Sequence, residues 1–361
     1  MIETHSMIEM HSVIEAHSMI EMHSVIEVQR VKKLRLTVII ITAALILSLA
    51  SCKNGGQSPD GAIEPSVASV DTPAQAASSS DNPASGAAGL TPQEEAFVFT
   101  TKNMPVIDGS TATIPLIEAV YSVLLGIPRD EAALMVNTSG TDNAYERLIW
   151  GDADILLVYA PSPTVFNSAN SNNVELEMSP IGRDGLVFLV NIANPVSSLT
   201  PEQLVLIYSG KVDNWSEVGG EDVMIKAFQR PYRSGSQTMM DELVMRGAQM
   251  AEAEPAYVIS EMGGLIEVVA QFDNAQSAIG YNVYYFVSQM EMNENVRMLA
   301  VGGVTPSTQS ISDGSYPFVS DFYAVIRSDT PEGSPARLLF DWIQSGDGQA
   351  LVRHEGYATA G

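Results

Sequence analysis

From about residue 94 onward, short β-rich runs alternate with amphipathic segments, and this alternation constrains the fold more strongly than any other feature of the chain. The first part of the region predicts strand, helix, strand, helix and strand at 104–108, 114–125, 133–137, 143–150 and 155–159. Further β-rich runs lie at 185–191, 223–229, 278–285, 296–301 and 318–327. The pattern predicts an α/β fold with mostly parallel sheets flanked by helices. Its length favours two lobes over one open sheet.

The first thirty residues are five near-copies of a six-residue unit, beginning MIETHS and MIEMHS. A period of six gives neither a helix nor a strand one continuous buried face, so we interpret residues 1–30 as a low-complexity extension. If Val31 is the true start, these residues are a translation artefact. Because His recurs with Glu in the repeat, a metal-binding tract is the alternative interpretation.

Residues 31–52 have the layout of an export signal. Three basic residues near its start precede an uncharged apolar run at 36–50, which is shorter than the ~20 residues of a membrane-spanning helix. The run ends in Leu-Ala-Ser-Cys, which resembles the bacterial lipobox and implies a lipid on Cys52. Residues 53–93 are rich in Ser, Ala, Pro and Gly and are predicted to form a flexible tether. We therefore expect the rest of the chain to lie outside the cytoplasm, anchored to the membrane.

The cysteine, histidine and charge content excludes several classes of protein. Cys52 is the only cysteine in 361 residues, which excludes a disulfide framework and a multi-cysteine zinc site. Four of the five histidines lie in the N-terminal repeat, so His354 is the one histidine base available elsewhere. A net charge of −25 repels nucleic acids, although a buried anion site depends on local donors instead. We predict no cofactor, no metal and no nucleic-acid partner.

Three loops combine glycine with hydroxyl residues and precede predicted helices. The first loop is 109–113 (Gly-Ser-Thr-Ala-Thr), the second is 138–142 (Thr-Ser-Gly-Thr-Asp), and the third is 230–237 (Arg-Pro-Tyr-Arg-Ser-Gly-Ser-Gln). Free N–H groups and the positive dipole at a helix start attract anions. Ser and Thr also cap helices without binding a ligand, but three such loops, one with Arg230 as a charge partner, predict an oxyanion site. A surface salt bridge is the alternative interpretation for both Arg230 and Arg233, and it fits Arg233 better than Arg230.

Four sequence blocks together resemble the phosphate-binding proteins of ABC transporters. They are 109–112, 180–184 (Pro-Ile-Gly-Arg-Asp), 208–211 (Tyr-Ser-Gly-Lys) with Asn214 and Trp215, and Gln229-Arg230 with Ser234-Gly235-Ser236. The resemblance extends over residues 94–361. It implies a two-lobed periplasmic-binding-protein fold of type II, with an anion held in the cleft between the lobes. One lobe would comprise 94–190 and 290–361, and the other 191–289.

The resemblance also implies the ligand contacts and the partners. In the second loop, Thr141 matches the family's hydroxyl position better than Ser139, and Ser236 stands where the family has Thr. The implied ligand-binding residues are Ser110, Thr111, Ala112, Ser139, Thr141, Arg230, Ser234, Gly235 and Ser236. The implied partners are inorganic phosphate and an ABC permease, and we expect a monomer.

One position departs from the family pattern. The family commonly has an aspartate after the third strand that accepts the proton of hydrogen phosphate and rejects sulfate, whereas this chain has Tyr159 there. A phenol is uncharged near neutral pH, and we expect Asp108 and Asp142 to be solvated helix caps rather than replacements. Sulfate, molybdate or a phosphorylated organic ligand therefore remain alternatives to phosphate.

An enzyme and a surface sensor or interaction protein are the two alternatives to a transport function. No Gly-x-Ser-x-Gly motif and no P-loop occur, which argues against an enzyme with an activated nucleophile or a nucleotide-phosphate site. We therefore predict that the chain is not an enzyme. A surface sensor or interaction protein that retained the fold without transport is the remaining alternative.

Overall fold

The computed structural model describes residues 97–271, 273 and 275–359. The predicted N-terminal repeat, signal peptide, lipidation at Cys52 and tether all fall before residue 94, outside the described residues. Among the helices that are described, none combines the length and the apolar character needed to cross a bilayer.

Short strands and helices alternate along the described chain. The strands are β1 Ile107–Gly109, β2 Ile155–Tyr159, β3 Leu176–Asn191, β4 Ser198–Leu199, β5 Lys226–Ala227, β6 Ala278–Val283, β7 Val296–Met298, β8 Ala300–Val301 and β9 Val319–Arg327. The helices are α1 Ile114–Leu125, α2 Arg129–Ala133, α3 Thr141–Trp150, α4 Pro163–Ser171, α5 Pro201–Tyr208, α6 Gly235–Met239, α7 Met262–Ala270, α8 Thr308–Ser312, α9 Pro335–Gln344 and α10 Gly346–His354. A 3-10 turn, Thr111–Thr113, leads into α1, and a π-helical segment, Met240–Met245, continues α6.

Seven of the described strands form one sheet in the order β1-β2-β9-β3-β6-β5, with β7 also paired to β3. Pairing is parallel between β1 and β2, between β5 and β6, and in the separate β4–β8 pair. The antiparallel pairs in the described residues all involve the two long strands β3 and β9. Helices flank the sheet, and the α/β class predicted from the sequence is confirmed.

The long strand β3 joins two parts of this sheet. Its first part, Leu176 to Gly185, pairs with β9, and its second part, from Leu186 to Asn191, pairs with β6 and β7. Residues from Leu186 to Val190 are fully buried, because α7 and α8 pack against the strand. The predicted β-rich run at 185–191 is thus the second part of a longer strand.

Helix α3 packs its apolar face against β2. Its buried residues Ala144, Tyr145, Leu148 and Ile149 are spaced three or four apart, so they share one side of the helix. They meet Leu156 and Val158 of β2 in a compact apolar cluster. The Tyr145 hydroxyl also donates to the carbonyl oxygen of Tyr159 over 3.1 Å. This packing places the start of α3 beside the end of β2.

The start of α1 is held against β2 by a glycine and a threonine. A Cβ added to Gly109 would lie 2.2 Å from the carbonyl oxygen of Leu157, so this close approach of β1 and β2 requires glycine. Thr113 Oγ1 lies 2.6 Å from the same carbonyl oxygen and 2.9 Å from that of Ser110, and it donates to both. The first loop is therefore fixed at the end of β1.

One predicted strand is wrong. Residues 133–137 contain the end of α2 and a turn, and the second loop therefore does not follow a strand. Leu134 is 86% exposed and Met135 is also exposed, so the run buries no face against a sheet. Its apolar composition imitates a strand locally, but a strand needs a neighbour that covers one side of it. The run at 223–229 likewise contains only the two-residue strand β5.

Candidate functional site

A cavity of about 480 Å³ lies where the three loops and the start of α7 meet. Every residue that sequence reasoning named as a ligand contact lines it, and so does Tyr159. These are Ser110, Thr111, Ala112, Ser139, Thr141, Arg230, Ser234, Gly235 and Ser236. The loops therefore converge, and their contacts with a ligand stay a prediction.

The first and second loops are joined by hydrogen bonds between their own polar groups. The hydroxyls of Ser110 and Thr141 lie 2.9 Å apart, and the Ser110 hydroxyl also accepts the backbone N–H of Tyr159 at 3.3 Å. Both side chains are buried. This part of the cavity wall is therefore braced without any ligand.

Two buried carboxylates support the same loops, and the expectation that they are solvated caps is wrong. Asp108 accepts the backbone N–H and hydroxyl of Ser139 at 2.8 and 2.7 Å, and it pairs with Arg147 at 2.6 Å. Asp142 accepts the backbone N–H of Ser162 at 3.0 Å, as well as its hydroxyl. Neither aspartate lines the cavity. Each carboxylate is satisfied by residues distant in sequence, so its position near a helix start does not make it a cap.

The third loop brings donors that have no partner. Arg230 is 7% exposed, and its Nη1 donates to the carbonyl oxygen of Ile259 over 3.1 Å. Its Nε and the Ser236 hydroxyl are buried without a hydrogen-bond partner in the described structure. Burial lowers the pKa of the Arg230 guanidinium, and the nearby Tyr281 and Glu261 act in the opposite direction. A buried donor without an acceptor is costly, so an acceptor is expected in the cavity.

The start of α6 approaches the other two loops closely. Ser234 caps this helix by accepting the backbone N–H of Gln237 at 3.3 Å. A Cβ added to Gly235 would lie 2.6 Å from Thr141 Oγ1 and 3.2 Å from Tyr159 Cβ. Glycine at this position thus allows the third loop to touch the second loop and the end of β2.

Arg233 forms the salt bridge that the sequence favoured. Its side chain is 43% exposed, with Nε 3.6 Å from Asp142 Oδ2 and Nη2 3.5 Å from Glu146 Oε1. Its backbone has a φ of 79°, the left-handed region that a non-glycine residue seldom adopts. The pair links the third loop to α3.

The hydroxyl of Tyr159 donates a hydrogen bond to a buried carboxylate that is not part of the cavity lining. It donates to Asp184 Oδ2 over 2.6 Å, and Asp184 also accepts the backbone N–H groups of Gly185 and Tyr285. Burial raises the pKa of Asp184 from 3.8 to about 6, although these hydrogen bonds oppose the rise. Burial also raises the pKa of Tyr159 well above its ordinary value, so the phenol stays neutral. Tyr159 therefore does not offer its hydroxyl to a ligand.

Sequence reasoning missed the contribution of α7 and several other lining residues. The missed residues are Asn143, Ser260, Glu261, Met262 and Val283. Ser260 precedes α7 and a Gly-Gly pair lies in the first turn of that helix, a weak signal for a helix start near a ligand. It lacks the strand and the hydroxyl-glycine loop by which the other three were found. Within the described residues, no cluster of His, Cys, Asp and Glu could hold a metal ion.

Comparisons with known proteins identify the family of this chain. A family model described as a PBP superfamily domain matches residues 72–345. The phosphate-binding protein PstS of Bacillus subtilis is 23% identical over 330 residues, covering 90% of this chain and 94% of the relative. PstS of Staphylococcus saprophyticus is 27% identical over 223 residues, covering 60% of this chain and 67% of the relative.

Solved structures show the same fold. An ABC-type phosphate transport receptor from Vibrio cholerae is 22% identical with a TM-score of 0.53, covering 71% of this chain and 99% of that one. A putative phosphate ABC transporter substrate-binding protein with bound phosphate, from Clostridium perfringens, is 23% identical with a TM-score of 0.55, covering 72% and 100%. The resemblance inferred from the sequence is confirmed, and the chain belongs to the PBP superfamily.

Proposed function

We propose that this chain is an extracytoplasmic solute-binding protein that captures inorganic phosphate for an ABC importer. The observation that carries the proposal is the pair of buried donors without partners, Arg230 Nε and the Ser236 hydroxyl, in a cavity of about 480 Å³. A tetrahedral oxyanion supplies several acceptor oxygens at once, so it can satisfy donors that converge from different loops.

The helix starts add to this attraction. The first loop leads into α1, the second into α3 and the third into α6, so positively polarised backbone ends surround the cavity. The chain's net charge of −25 does not oppose capture, because donors inside a cavity determine the local field. The ligand contacts we propose are those named above in the first, second and third loops, with Arg230 as the charged partner.

We also propose that the ligand is enclosed between two lobes, comprising 94–190 with 290–361 and 191–289. The first and second loops belong to one proposed lobe, while the third loop and the start of α7 belong to the other. Lining residues from both therefore favour closure around a bound anion. The contact of Gly235 with Thr141 and Tyr159 supports a closed arrangement.

The chain's place in the cell is proposed from its N-terminal sequence. A signal peptide ending at Cys52 and a lipid on that cysteine would anchor the protein to the membrane, and residues 53–93 would give it reach. We propose an ABC permease as its partner, a monomeric state and no enzymatic activity.

Isothermal titration calorimetry with inorganic phosphate tests the proposal. The wild-type protein should bind phosphate, and Arg230→Gln should weaken binding by about 1.5–3 kcal/mol, because a charge-assisted contact is lost in a buried site. Arg353→Gln in α10, outside the cavity lining, is the matched control and should bind as the wild type does. No phosphate binding by the wild type would refute the function. Full affinity in the Arg230 variant would refute the site.

A further inference from the structure

The first residue of the third loop is held by a tyrosine that is not part of the cavity lining. Arg230 follows the short parallel pairing of β5 with β6, where the N–H of Phe228 donates to the carbonyl oxygen of Ile279 over 2.8 Å. The N–H of Arg230 donates instead to the hydroxyl of Tyr281 over 2.9 Å. Tyr281 is fully buried and does not line the cavity. The backbone position of Arg230 therefore depends on a side chain behind the site.

The same tyrosine connects Arg230 to the other end of the third loop. The Tyr281 hydroxyl donates to Oε1 of Gln237, which lies in the first turn of α6. The backbone N–H of Gln237 donates to the Ser234 hydroxyl over 3.3 Å. Gln237 is buried as well, so these hydrogen bonds are shielded from water and are stronger than exposed ones. Tyr281 and Gln237 together tie the start of the loop to its end.

Asp241 fixes the direction of these hydrogen bonds. It lies one turn after Gln237, in the π-helical segment, and its Oδ1 accepts Gln237 Nε2 at 2.9 Å. An ionised carboxylate can only accept, so Gln237 turns its NH2 group toward Asp241 and its amide oxygen toward Tyr281. The phenol then donates to Gln237 and keeps a lone pair for the N–H of Arg230. We call these four residues, from Asp241 to Arg230, the polar chain.

We propose that Tyr281 is a positioning residue for phosphate binding and that it acts on Arg230 through the polar chain. The Arg230 side chain is fixed at a second point, where Nη1 donates to the carbonyl oxygen of Ile259 over 3.1 Å. With the backbone and Nη1 both held, the guanidinium loses little freedom when an anion binds to its unpartnered Nε. This inference rests on the proposed function and adds a residue outside the cavity that determines the affinity.

A purely structural role for Tyr281 would be to satisfy a buried N–H and nothing more. The two roles differ in how the effect of Tyr281→Phe depends on Arg230. A structural defect weakens phosphate binding by the same factor whether or not the guanidinium is present. A positioning role weakens phosphate binding only while the guanidinium is there, which a double-mutant cycle measures.

The experiment is calorimetric titration of inorganic phosphate into the wild type, Tyr281→Phe, Arg230→Gln and the double variant. We expect Tyr281→Phe to weaken phosphate binding roughly tenfold in the wild-type background, because the N–H of Arg230 loses its acceptor. In the Arg230→Gln background the same change should cost less than about twofold, the size of an additive pair.

Tyr208→Phe is the matched control. Tyr208 is fully buried, its ring lies 5.4 Å from that of Tyr281 in a T-shaped contact, and its hydroxyl has no hydrogen-bond partner in the described structure. The two substitutions thus remove the same atom from the same aromatic cluster, and only one of them breaks the polar chain. Tyr208→Phe should therefore bind phosphate as the wild type does.

A second variant, Asp241→Asn, tests the polar chain from its other end. Asp241 is half-buried, and the change keeps its size while removing the charge that fixes the direction of the Gln237 amide. Phosphate binding should weaken roughly threefold, and again only while Arg230 is present. If Tyr281→Phe does not fold in a urea titration, Asp241→Asn and its combination with Arg230→Gln decide the question.

Three results would overturn the inference. The first is wild-type phosphate affinity in both Tyr281→Phe and Asp241→Asn, and the second is an equal loss in Tyr281→Phe and Tyr208→Phe. The third is a loss that persists undiminished in the Arg230→Gln background, which would assign Tyr281 to structure alone. A wild type that binds no phosphate would instead refute the proposed function itself, so the two failures are distinguishable.

Discussion

The two walls of the cavity use their polar groups differently. The braced wall, formed by residues 109–113 and 138–142, has its polar groups satisfied by the protein, through the bond between Ser110 and Thr141 and through Asp108, which lies behind the wall and accepts from Ser139. The donor wall, formed by residues 230–237, leaves Arg230 Nε and the Ser236 hydroxyl without partners in the described structure. A buried unpaired donor is costly, whereas a satisfied network stiffens the loops that carry it. The braced wall is thus held in a fixed shape by hydrogen bonds within the protein, and the donor wall has two donors available for a ligand.

The largest expected effect is a loss of stability when a hydrogen-bond acceptor that supports the braced wall is removed. Asp108→Ala removes the acceptor for Ser139 and the partner of Arg147, so the free energy of unfolding should fall by about 3 kcal/mol. Urea denaturation followed by circular dichroism measures this. Asp347→Ala, an exposed first-turn residue of α10, should change it little. A loss below about 0.5 kcal/mol, the size of an ordinary surface change, would show that Asp108 does not hold this wall.

The next largest expected effect is a loss of phosphate affinity when the contact between the two walls is disturbed. In Gly235→Ala the new Cβ would meet Thr141 Oγ1 at 2.6 Å, so the Thr141 side chain or the walls themselves must shift, and phosphate affinity should fall by about 2 kcal/mol. Calorimetry compares this variant with Gly346→Ala, where no atom lies within 4 Å of the added Cβ. Equal affinities in the two variants would mean that the walls do not need to touch for binding.

The free energy of unfolding should depend on pH through Asp184, which links Tyr159 at the cavity to the backbone after β6. Its pKa is raised to about 6 by burial, so the folded state holds the proton more tightly than the unfolded chain. Stability from this group is present at low pH and is lost as pH rises through about 6, about 1 kcal/mol of it between pH 5 and 7. Asp184→Asn should remove this loss, so the unfolding free energies of variant and wild type should converge or cross with rising pH. Parallel pH profiles would contradict the prediction.

The smallest effect is expected at the ion pairs that join the donor wall to α3. Arg233→Gln removes contacts of 3.6 and 3.5 Å made by a side chain that is 43% exposed, so phosphate affinity should fall by less than about 1 kcal/mol. The difference from wild type should shrink further in high salt. A tenfold loss that persists in high salt would instead place Arg233 in contact with the ligand.

The cavity was predictable where its chemistry is encoded locally. Glycine-hydroxyl loops before α1, α3 and α6 mark helix starts, and Arg230 marks a charge partner, so the residues of both walls could be named from sequence. The position of Glu261 was not predictable in this way. It enters the site only because distant residues, Arg230 and Asn282, hold the backbone on either side of it.

The fold shows the same limit. The sequence predicts a helix at 114–125 and a strand at 155–159, and α1 and β2 have these bounds in the structure. The run at 133–137 has strand-like composition but lacks a neighbour, and Asp108 looks like a cap until Arg147 and Ser139 surround it. Local sequence patterns predicted a helix or strand correctly where the residues of that segment determine which of its side chains are buried. The prediction failed where the burial of a side chain depends on a partner that is distant in the sequence.

The missing Cβ of Gly235 has a consequence for sequence variation. Since its backbone fills the space left by Thr141 and Tyr159, these three positions form one steric unit spread over separate segments. A relative with a larger residue at the first position should carry a smaller one at either of the others.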